Sequence, residues 1–443
     1  MAALTKQRWL ILAHAFNMDG RAASQTITDK IPHLLDANIE LVVLSGALGE
    51  QDHRFEHHRL WPWGPAGIRF ELRHVLRKRL SGWVYRVCMV ALSLPLWPFM
   101  LIEKLLFPFE SSWSWRFAAV AQARRLARQR PFDWIYSTGG AYAAHLAGAE
   151  LKKEWGTPWL AEVHDPFVMP GQTPQSRHDK MKLEVERQIC SEADLAVWFT
   201  DQALTSARTR HPQLQERGRV ILPGMDSPFP NGLPPQQRGA KCVLGHFGSL
   251  SPTRSLVCML QALTWLHQHA PEVLADFELQ VTGGPLDERA RSYLESSPVR
   301  EVVRHLGRIE SDPTTGQSGR SQILKRMRSA DVLLLIHGED PICAEYIPSK
   351  LYEYLWMQRP ILAQVHPGNV QMARMLSEMG HTTVLTNDLS SAHSIEALAN
   401  ALRELHRQWQ QTGLADNGLS SPYSTQRSVE QLLSWTHTSE VNA

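Results

Sequence analysis

Short apolar runs recur along the chain, separated by longer stretches with helical periodicity. In the first half they are "WLILAHAF" (9–16), "IELVVLS" (39–45), "DWIYSTG" (133–139), "PWLAEVH" (158–164), "DLAVWFT" (194–200) and "RVILPG" (219–224). In the second half they are "KCVLGHFG" (241–248), "DFELQVTGG" (276–284), "VVRHLGRI" (302–309), "DVLLLIHG" (331–338), "RPILAQV" (359–365) and "HTTVLTN" (381–387). Continuous apolar runs are typical of strands buried on both faces, and their alternation with helices predicts parallel sheets built from βαβ units.

This rhythm stops at the proline- and glycine-rich stretch "PGMDSPFPNGLPPQQRGA", which predicts a linker between two domains. The expected fold class is α/β, with two doubly wound Rossmann-like domains facing each other across a cleft. The predicted boundaries are 1–225 for the first domain, 226–240 for the linker, 241–412 for the second domain and 413–443 for a tail and helix packing back on the first domain. Doubly wound sheets bind ligands at the carboxyl ends of their strands, so the loops there are the expected site.

Charge and cysteine content narrow the function classes. The chain has 46 Lys and Arg against 44 Asp and Glu, so its net charge gives no reason to expect a nucleic-acid partner. Its five cysteines are scattered without a CxxC pair, which favours a reducing cytoplasm. Lys6 and Arg8 precede the first apolar run as in a signal peptide, but no small-residue cleavage site follows. We therefore interpret that run as a buried strand of a cytoplasmic protein.

Two glycine turns at predicted strand ends of the second half suit a diphosphate. "HFGSLSPTRSL" follows a strand, and its Gly248 permits close backbone approach. Arg254 lies near the start of the next helix, where peptide N–H groups favour anions. "VTGGP" places Gly283 at the next strand end. The alternative is an ordinary strand–turn–helix connection with a solvated arginine.

The stretch "EYIPSKLYEYL" begins at Glu345 and suggests a further anion site. Ser349 is a good helix N-cap residue, and the following helix is predicted to run to about Gln358. Lys350 and the free N–H groups of the first turn would bind an anion. Glu353 could accept hydrogen bonds from two neighbouring hydroxyl groups, as on a ribose, or be an ordinary surface glutamate.

The first half contributes fewer candidate residues. "AEVHDPF" places His164 and Asp165 at a strand end, where a histidine can donate to a hydroxyl or phosphate group or be purely structural. "NMDGRAAS" places Gly20 and Arg21 after the first strand. The run "HRFEHHRL" (53–60) has three histidines, but no second ligand set accompanies them, so metal binding is not favoured.

In this order the features resemble the retaining glycosyltransferases of the GT-B fold, a large family that includes bacterial polysaccharide and phosphatidylinositol mannosyltransferases. The resemblance covers most of residues 9–410 and is strongest at 241–365. The motifs that carry it are "HFGSLSPTR", "VTGGP", "SADVLLL", "EYIPSKLYE", "RPILA", "VILPGMD" and "GTPWLAEVHDP". The chain departs from the family pattern with serine at 249 in place of arginine, arginine at 254 in place of lysine, and Gly224 directly after Pro223.

The resemblance implies a role for each candidate residue. The donor-binding residues would be Gly248, Ser249, Arg254, Gly283, Ser349, Lys350, Leu351 and Glu353. The catalytic residues would be His164, Asp165 and Glu345, and the acceptor-side loop would contain Gly20 and Arg21. Glu345 would contact the donor sugar, Glu353 the ribose, and His164 the sugar and its departing phosphate.

The implied activity is transfer of a sugar from a nucleoside-diphosphate sugar to a saccharide or lipid-linked acceptor in bacterial surface polysaccharide biosynthesis. Retention would follow from reaction on one face of the sugar, with the leaving phosphate oxygen taking the acceptor proton. Neither a metal nor a cofactor is expected. Two alternatives stay open at this point. One is a nucleotide-sugar epimerase of the same fold, and the other is a non-catalytic nucleotide-sugar-binding or membrane-scaffold protein.

Residues 69–116 predict contact with an anionic membrane surface, on the inner face of the cytoplasmic membrane. The stretch "VCMVALSLPLWPFMLI" (87–102) has sixteen positions without a charge, too few for a span, and Pro95 and Pro98 are expected to interrupt it. Six basic residues precede it: Arg69, Arg73, Arg77, Lys78, Arg79 and Arg86. Trp83, Trp97, Trp113 and Trp115 could lie at headgroup depth. The alternative is that 87–102 is a helix buried in the first domain.

Overall fold

The computed structural model describes residues 6–18, 21–107, 110–236, 238–312, 314–385, 391–414, 416, 418 and 420–441. The chain divides into two compact units, residues 1–223 with 425–443 and residues 224–424. The described residues between 223 and 240 form neither helix nor strand, because their prolines cannot donate the hydrogen bonds that either element requires.

Each unit is built on one parallel sheet, as the continuous apolar runs predicted. The first unit contains β1 (Arg8–Leu12), β2 (Glu40–Gly46), β3 (Glu56–Leu60), β4 (Trp134–Gly139), β5 (Trp159–Val163), β6 (Leu195–Trp198) and β7 (Gly218–Val220). The second contains β8 (Cys242–Gly248), β9 (Phe277–Gly283), β10 (Val303–Gly307), β11 (Val332–Ile336), β12 (Ile361–Val365) and β13 (Thr382–Leu385). The strand orders are 3-2-1-4-5-6-7 and 10-9-8-11-12-13, so each sheet is wound in both directions from its first strand. The predicted α/β class is confirmed.

Helices fill the connections between the strands. The first unit contains α1 (Ala22–Asp36), α2 (Pro65–Arg79), α3 (Gly82–Leu106), α4 (Trp115–Ala127), α5 (Tyr142–Trp155), α6 (Arg177–Glu192) and α7 (Asp201–Arg210). The second contains α8 (Val257–His269), α9 (Pro271–Ala275), α10 (Glu288–Glu295), α11 (Gly319–Ser329), α12 (Lys350–Leu355), α13 (Val370–Glu378) and α14 (Ala392–Thr412). Three-residue to six-residue 3-10 helices lie at Pro212–Arg217, Arg300–Val302 and Pro341–Ala344. The last helix, α15 (Thr425–Val441), belongs to the first unit and packs against α1.

The strand β3 is the one that the apolar pattern did not predict. It comes from the histidine-rich run and lies at the edge of the sheet, paired with β2, so its polar positions are tolerated. His57 is buried, with Nε2 2.8 Å from Ser45 Oγ and Nδ1 accepting from the Asp52 amide at 3.1 Å. Nowhere in the described residues do three or more His, Cys, Asp or Glu side chains form a group suited to a metal ion. His57 is therefore structural.

The apolar stretch 87–102 also differs from its prediction. It lies within α3, a continuous helix of 25 residues that contains both Pro95 and Pro98, so the expected interruption was wrong. The alternative of a buried helix is wrong too, since Trp83 is 71% and Leu94 72% exposed. Within the described part of the chain, α3 is the one helix whose length and composition would allow it to cross a membrane.

Candidate active site

In the second unit, Gly248 and Gly283 end neighbouring strands and lie directly opposite each other in the β8–β9 register. A Cβ on Gly283 would lie 1.9 Å from the Gly248 carbonyl oxygen, and its φ is +144°. Gly248 has φ +150° with open space where its Cβ would be. The two strand ends therefore approach each other as closely as only glycine permits. The half-buried backbone of Gly248 has open space beside it that a ligand can enter.

The loop after β8 places Arg254 beside the loop after β11. Ser251 and Arg254 exchange backbone hydrogen bonds of 3.2 and 3.0 Å, which closes a tight turn. The Arg254 guanidinium donates to the Tyr346 hydroxyl, and its buried Nε has no hydrogen-bond partner among the described residues. Ser249, in the same loop, is exposed. A half-buried guanidinium with an unused donor is suited to an anionic ligand.

Glu345 is held in this region by the loop that contains it. The side chain of Asn369 is fully buried and donates to the carbonyl oxygens of Cys343 and Tyr346 at 2.8 and 2.7 Å. The Glu345 amide donates to the Ile342 carbonyl oxygen at 2.9 Å, and the Glu345 side chain is 4% exposed. A carboxylate on so constrained a loop has a fixed position relative to Arg254.

The helix α12 holds Lys350 and Glu353. It has six residues and ends at Leu355 instead of the predicted Gln358, and Ser349 makes no side-chain cap. Its helix dipole therefore contributes less to anion binding than the sequence suggested. Lys350 Nζ donates to Glu353 Oε2 at 2.5 Å.

Glu353 is 5% exposed, so it is not the surface glutamate that the sequence left open. Its second oxygen, Oε1, lies 3.8 Å from Arg320 Nε. The side chain of Leu351 is wholly buried, which leaves only its backbone for a ligand. Tyr354 anchors α12 by donating to the Leu334 carbonyl oxygen and accepting from the Phe247 amide, both at 3.2 Å.

In the first unit, His164 directly follows β5 and lies in a buried hydrogen-bond network. Its Nε2 lies 3.0 Å from Glu162 Oε1 and 2.9 Å from Thr138 Oγ1, and its ring stacks on Phe199. Since Thr138 donates its hydroxyl hydrogen to Glu162, Nε2–H of His164 is the donor in both contacts. The network thus fixes the ring and leaves Nδ1 as the nitrogen outside it. Asp165, the next residue, is exposed.

Lys30 and Glu162 form the centre of that network, and sequence analysis identified neither. Lys30 of α1 donates to Glu162 Oε2, as does the Tyr136 hydroxyl at 2.8 Å, and both ionic side chains are at most 1% exposed. Burial alone would raise the pKa of Glu162, but the charge of Lys30 and the hydrogen bond from His164 outweigh it and hold that pKa well below its ordinary range. The only sequence signal was a charged residue inside each apolar pattern.

Sequence analysis also missed a pair at the carboxyl end of β1. His14 Nε2 lies 3.0 Å from Glu71 Oε1 of α2, and Glu71 is fully buried. Gly46 leaves room for the pair, since a Cβ there would lie 2.9 Å from the His14 carbonyl oxygen and 3.1 Å from Glu71 Oε1. A buried histidine–carboxylate pair at a strand end is an arrangement suited to general-base chemistry.

The expected acceptor-side loop is only partly described. Gly20 lies outside the described residues, and Arg21 is exposed with Nη2 3.5 Å from His74 Nε2 of α2. A cavity of about 600 Å³ opens nearby at the carboxyl ends of β2 and β3. The polar and aromatic residues that line it include Glu50, His58, Arg59, Trp61, Arg79 and Gln122.

Comparison with solved structures places this arrangement in a known architecture. An α,α-trehalose 6-phosphate synthase from Burkholderia multivorans matches with a TM-score of 0.57 at 14% identity, over 99% of both chains. WaaG, a glycosyltransferase involved in lipopolysaccharide biosynthesis, matches with a TM-score of 0.56 at 14% identity, over 96% of this chain and 99% of WaaG. A trehalose-6-phosphate protein from E. coli bound with UDP-2-fluoro glucose matches with a TM-score of 0.55 at 14% identity, over 97% of this chain and 99% of that protein.

The chain has the GT-B fold. No protein-family model matches the sequence, and no curated protein matches it. At these identities the structural similarity shows the fold alone.

Proposed function

We propose that this GT-B protein is a retaining hexosyltransferase that uses a nucleoside-diphosphate sugar. The observation that carries the proposal is the grouping of Arg254, Tyr346 and the buried Glu345 at the carboxyl ends of β8 and β11. That grouping combines an anion site with a carboxylate that can accept sugar hydroxyl groups, and both belong to the second unit. The order of motifs that resembles the retaining family supports the same assignment.

We assign the donor diphosphate to Arg254, Lys350 and the backbone at Gly248, Ser249 and Ser349. Lys350 is 30% exposed, so its ammonium group can leave Glu353 for a phosphate oxygen. Glu353 would then accept the ribose hydroxyls while Arg320 stays near its other oxygen. The cations supply the neutralisation that a metal gives in other transferases, so we expect activity to persist with a chelator present.

In this assignment His164 serves turnover. Because Nε2 is committed to Glu162 and Thr138, Nδ1 is the atom that would hydrogen-bond a sugar hydroxyl or the departing phosphate. Glu345 would hold the sugar's hydroxyls. No protein nucleophile is required, because the leaving phosphate oxygen takes the proton from the acceptor hydroxyl as the new glycosidic bond forms and the sugar–phosphate bond breaks.

We assign the acceptor to the first unit, to a saccharide or lipid-linked saccharide of bacterial surface polysaccharide biosynthesis. The cavity near Arg21 has the size of a sugar-binding site, and its Trp61 and Arg59 suit a sugar ring and a phosphate group. The corresponding location is the inner face of the cytoplasmic membrane, where such acceptors are exposed to the cytoplasm.

A second candidate is an inverting transferase, which the His14–Glu71 pair favours. Glu71 would hold the His14 imidazole so that it takes the acceptor's proton, and the acceptor oxygen would attack from the face opposite the leaving phosphate. The two mechanisms give opposite anomeric configurations in the product. His14→Ala would abolish inverting transfer but leave retaining transfer largely intact.

Two measurements test the proposal. A thermal-shift panel of nucleotides and nucleotide sugars should identify one stabilising donor class. NMR of the product formed from that donor and a saccharide acceptor should show a new glycosidic bond with the donor's anomeric configuration. An isomerised sugar formed from donor alone would establish an epimerase, and binding without release of nucleoside diphosphate from a range of acceptors would establish a binding protein.

A further inference from the structure

The most conspicuous surface of the first unit is the outer side of α3. Only Met89 and Glu103 of its 25 residues are buried, and a narrow stripe of partly buried positions faces α2. Apart from Arg86 and Lys104 near its ends, the remaining circumference is exposed and apolar. Its side chains that are more than 60% exposed include Trp83, Val90, Leu94, Trp97, Phe99 and Leu105. A helix that is apolar all round is normally surrounded by protein or by lipid.

The helix α2 connects this surface to the candidate site. One side of α2 contacts α3, where Arg69 Nε donates to Ser93 Oγ at 3.0 Å. The other side contacts the strand ends, through Glu71 to His14 and His74 to Arg21. Whatever covers α3 therefore lies one helix away from the expected acceptor side of the first unit.

The charge on this pair of helices is positive. Between residues 64 and 107 there are seven Lys or Arg and two Glu, and both glutamates are buried. Glu71 is paired with His14, and Glu103 accepts from the Ala66 amide at 2.8 Å and from Trp113 Nε1 at 2.6 Å. The exposed basic residues include Arg73, Arg77, Arg79, Arg86 and Lys104. A partner that complements this surface must be both anionic and apolar. An acidic lipid bilayer has both properties.

We propose that α3 lies lengthwise in one leaflet of an anionic bilayer, with α2 above it at the level of the headgroups. At about 1.5 Å per residue α3 is about 37 Å long, enough to cross, but crossing would draw α2 in with it. Arg69 contacts the middle of α3, so a spanning α3 would place arginines of α2 near the bilayer centre, which is strongly unfavourable.

The contacts at the ends of the two helices also favour an α3 that lies in one leaflet over one that crosses the bilayer. Glu103 near the end of α3 binds the start of α2, and the Gly64 amide donates to Ser114 Oγ at 2.8 Å. Both ends of the hairpin are thus attached to the same part of the first unit. A helix lying in the headgroup and upper acyl region requires no crossing, and it brings His14, Arg21 and the adjacent cavity to the lipid surface. The inference that the acceptor is membrane-borne rests on the proposed function, whereas the inference that α3 binds lipid does not.

Sedimentation with vesicles tests the binding. The protein should pellet with phosphatidylcholine vesicles that contain phosphatidylglycerol, pellet less with phosphatidylcholine alone, and partly dissociate at high salt. Replacing Arg73, Arg77 and Arg79 together by glutamine should weaken partitioning roughly 100-fold, at about fivefold per basic residue. The matched control replaces Arg291, Arg304 and Arg374 of the second unit, which changes net charge equally and should have little effect.

A second variant tests the apolar side. Leu94→Gln, Trp97→Gln and Phe99→Gln together should abolish pelleting, and circular dichroism should be unchanged because these side chains are exposed in the fold. Wild-type protein that stays in the supernatant with every vesicle would overturn the proposal. Sedimentation velocity that shows a dimer, dissociated by the same substitutions, would instead identify a second copy as the partner of α3.

The orientation has its own test. Ser81 is exposed between α2 and α3, and four of the five cysteines are buried, so Cys88→Ser with Ser81→Cys leaves one accessible thiol. In sealed vesicles a membrane-impermeant maleimide should label position 81 if α3 lies in one leaflet. Protection of that thiol until the vesicles are lysed would mean that α3 crosses the bilayer. Donor-binding assays without vesicles separate any failure here from a failure of the proposed function.

Discussion

At the scale of single residues, substitution of Arg254 and Lys350 gives the most direct test of the proposed donor site. Arg254→Ala and Lys350→Ala should each weaken binding of the nucleoside diphosphate by roughly 1–3 kcal/mol, the usual contribution of a charged hydrogen bond. Isothermal titration calorimetry measures the change. The control is Arg291→Ala, an exposed arginine of α10 paired with Glu288. Unchanged affinity in both site variants would remove these residues from the donor site.

His164 should separate catalysis from binding. His164→Ala should lower the rate of sugar transfer while the affinity for the nucleoside diphosphate, whose binding we assign to the second unit, stays near that of the unaltered protein. The reason is that His164 belongs to the first unit and its network contains none of the residues that we assign to the diphosphate. A folded variant with normal turnover would show that this histidine is structural.

Breaking the Lys30–Glu162 pair should strongly lower the free energy of unfolding. The pair should also make the stability of the protein sensitive to acid. Lys30→Met should destabilise the protein by about 3–5 kcal/mol, because it leaves a buried carboxylate without its counter-ion, and adding Glu162→Gln should recover much of this. The folded-state pKa of Glu162 lies below its ordinary value of 4.5. Its contribution to stability is therefore full above about pH 4.5 and is lost as pH falls further.

Urea unfolding of the four proteins of this cycle, between pH 3 and 7, checks both statements. The double variant should lose less stability than the unaltered protein as pH falls below the ordinary carboxyl pKa. Equal pH slopes in the two would show that Glu162 does not contribute to acid sensitivity.

At the scale of elements, the β8–β9 strand ends give a matched pair of glycine substitutions. Gly283→Ala should destabilise the second unit by at least about 2 kcal/mol, because its Cβ would overlap the Gly248 carbonyl oxygen and its φ is positive. Gly284→Ala should cost far less, since its Cβ would meet nothing closer than Ser249 Oγ at 3.8 Å. Thermal unfolding with and without nucleotide compares them, and similar costs would contradict the close approach.

The elements also show where sequence patterns hold. Each apolar run contains a strand, and for the inner strands the reason is that burial on both faces of a parallel sheet demands apolar residues. The edge strand β10 differs, since its residues are exposed or half-buried and include Arg304 and His305. The run that became β3 has charged and histidine residues, and its strand exists because β2 supplies hydrogen bonds along one edge. The α-helix after Ser349 ends early because the amides of Trp356 and Met357 donate to carbonyl oxygens only three residues back, and the chain then turns at Gln358 with φ +53°. The local sequence does not indicate this turn.

At the scale of the whole molecule, the last helix is part of the first unit although it follows the second in sequence. Leu432→Ala should destabilise the first unit by about 2–4 kcal/mol, because Leu432 is fully buried in a cluster with Ile27 and Ile31 of α1. Gln431→Ala, at an exposed position of the same helix, should have little effect. Differential scanning calorimetry should show the loss of stability in the unfolding transition of the first unit, whose midpoint added nucleotide should not shift. Loss in the nucleotide-sensitive transition would contradict this assignment.

The sequence by itself determined the fold class, every strand except β3 and the order of the candidate donor-site motifs, because each depends on local composition: apolar runs, glycine turns and the residues next to them. Only the tertiary structure decided which distant side chains meet. The pairs Lys30–Glu162 and His14–Glu71 join residues 132 and 57 positions apart, and nothing in the local pattern of either partner indicates the other. Exposure of α3 was likewise undecided in the sequence, since an apolar helix fits a protein core or a bilayer equally well, and only packing around it separates the two.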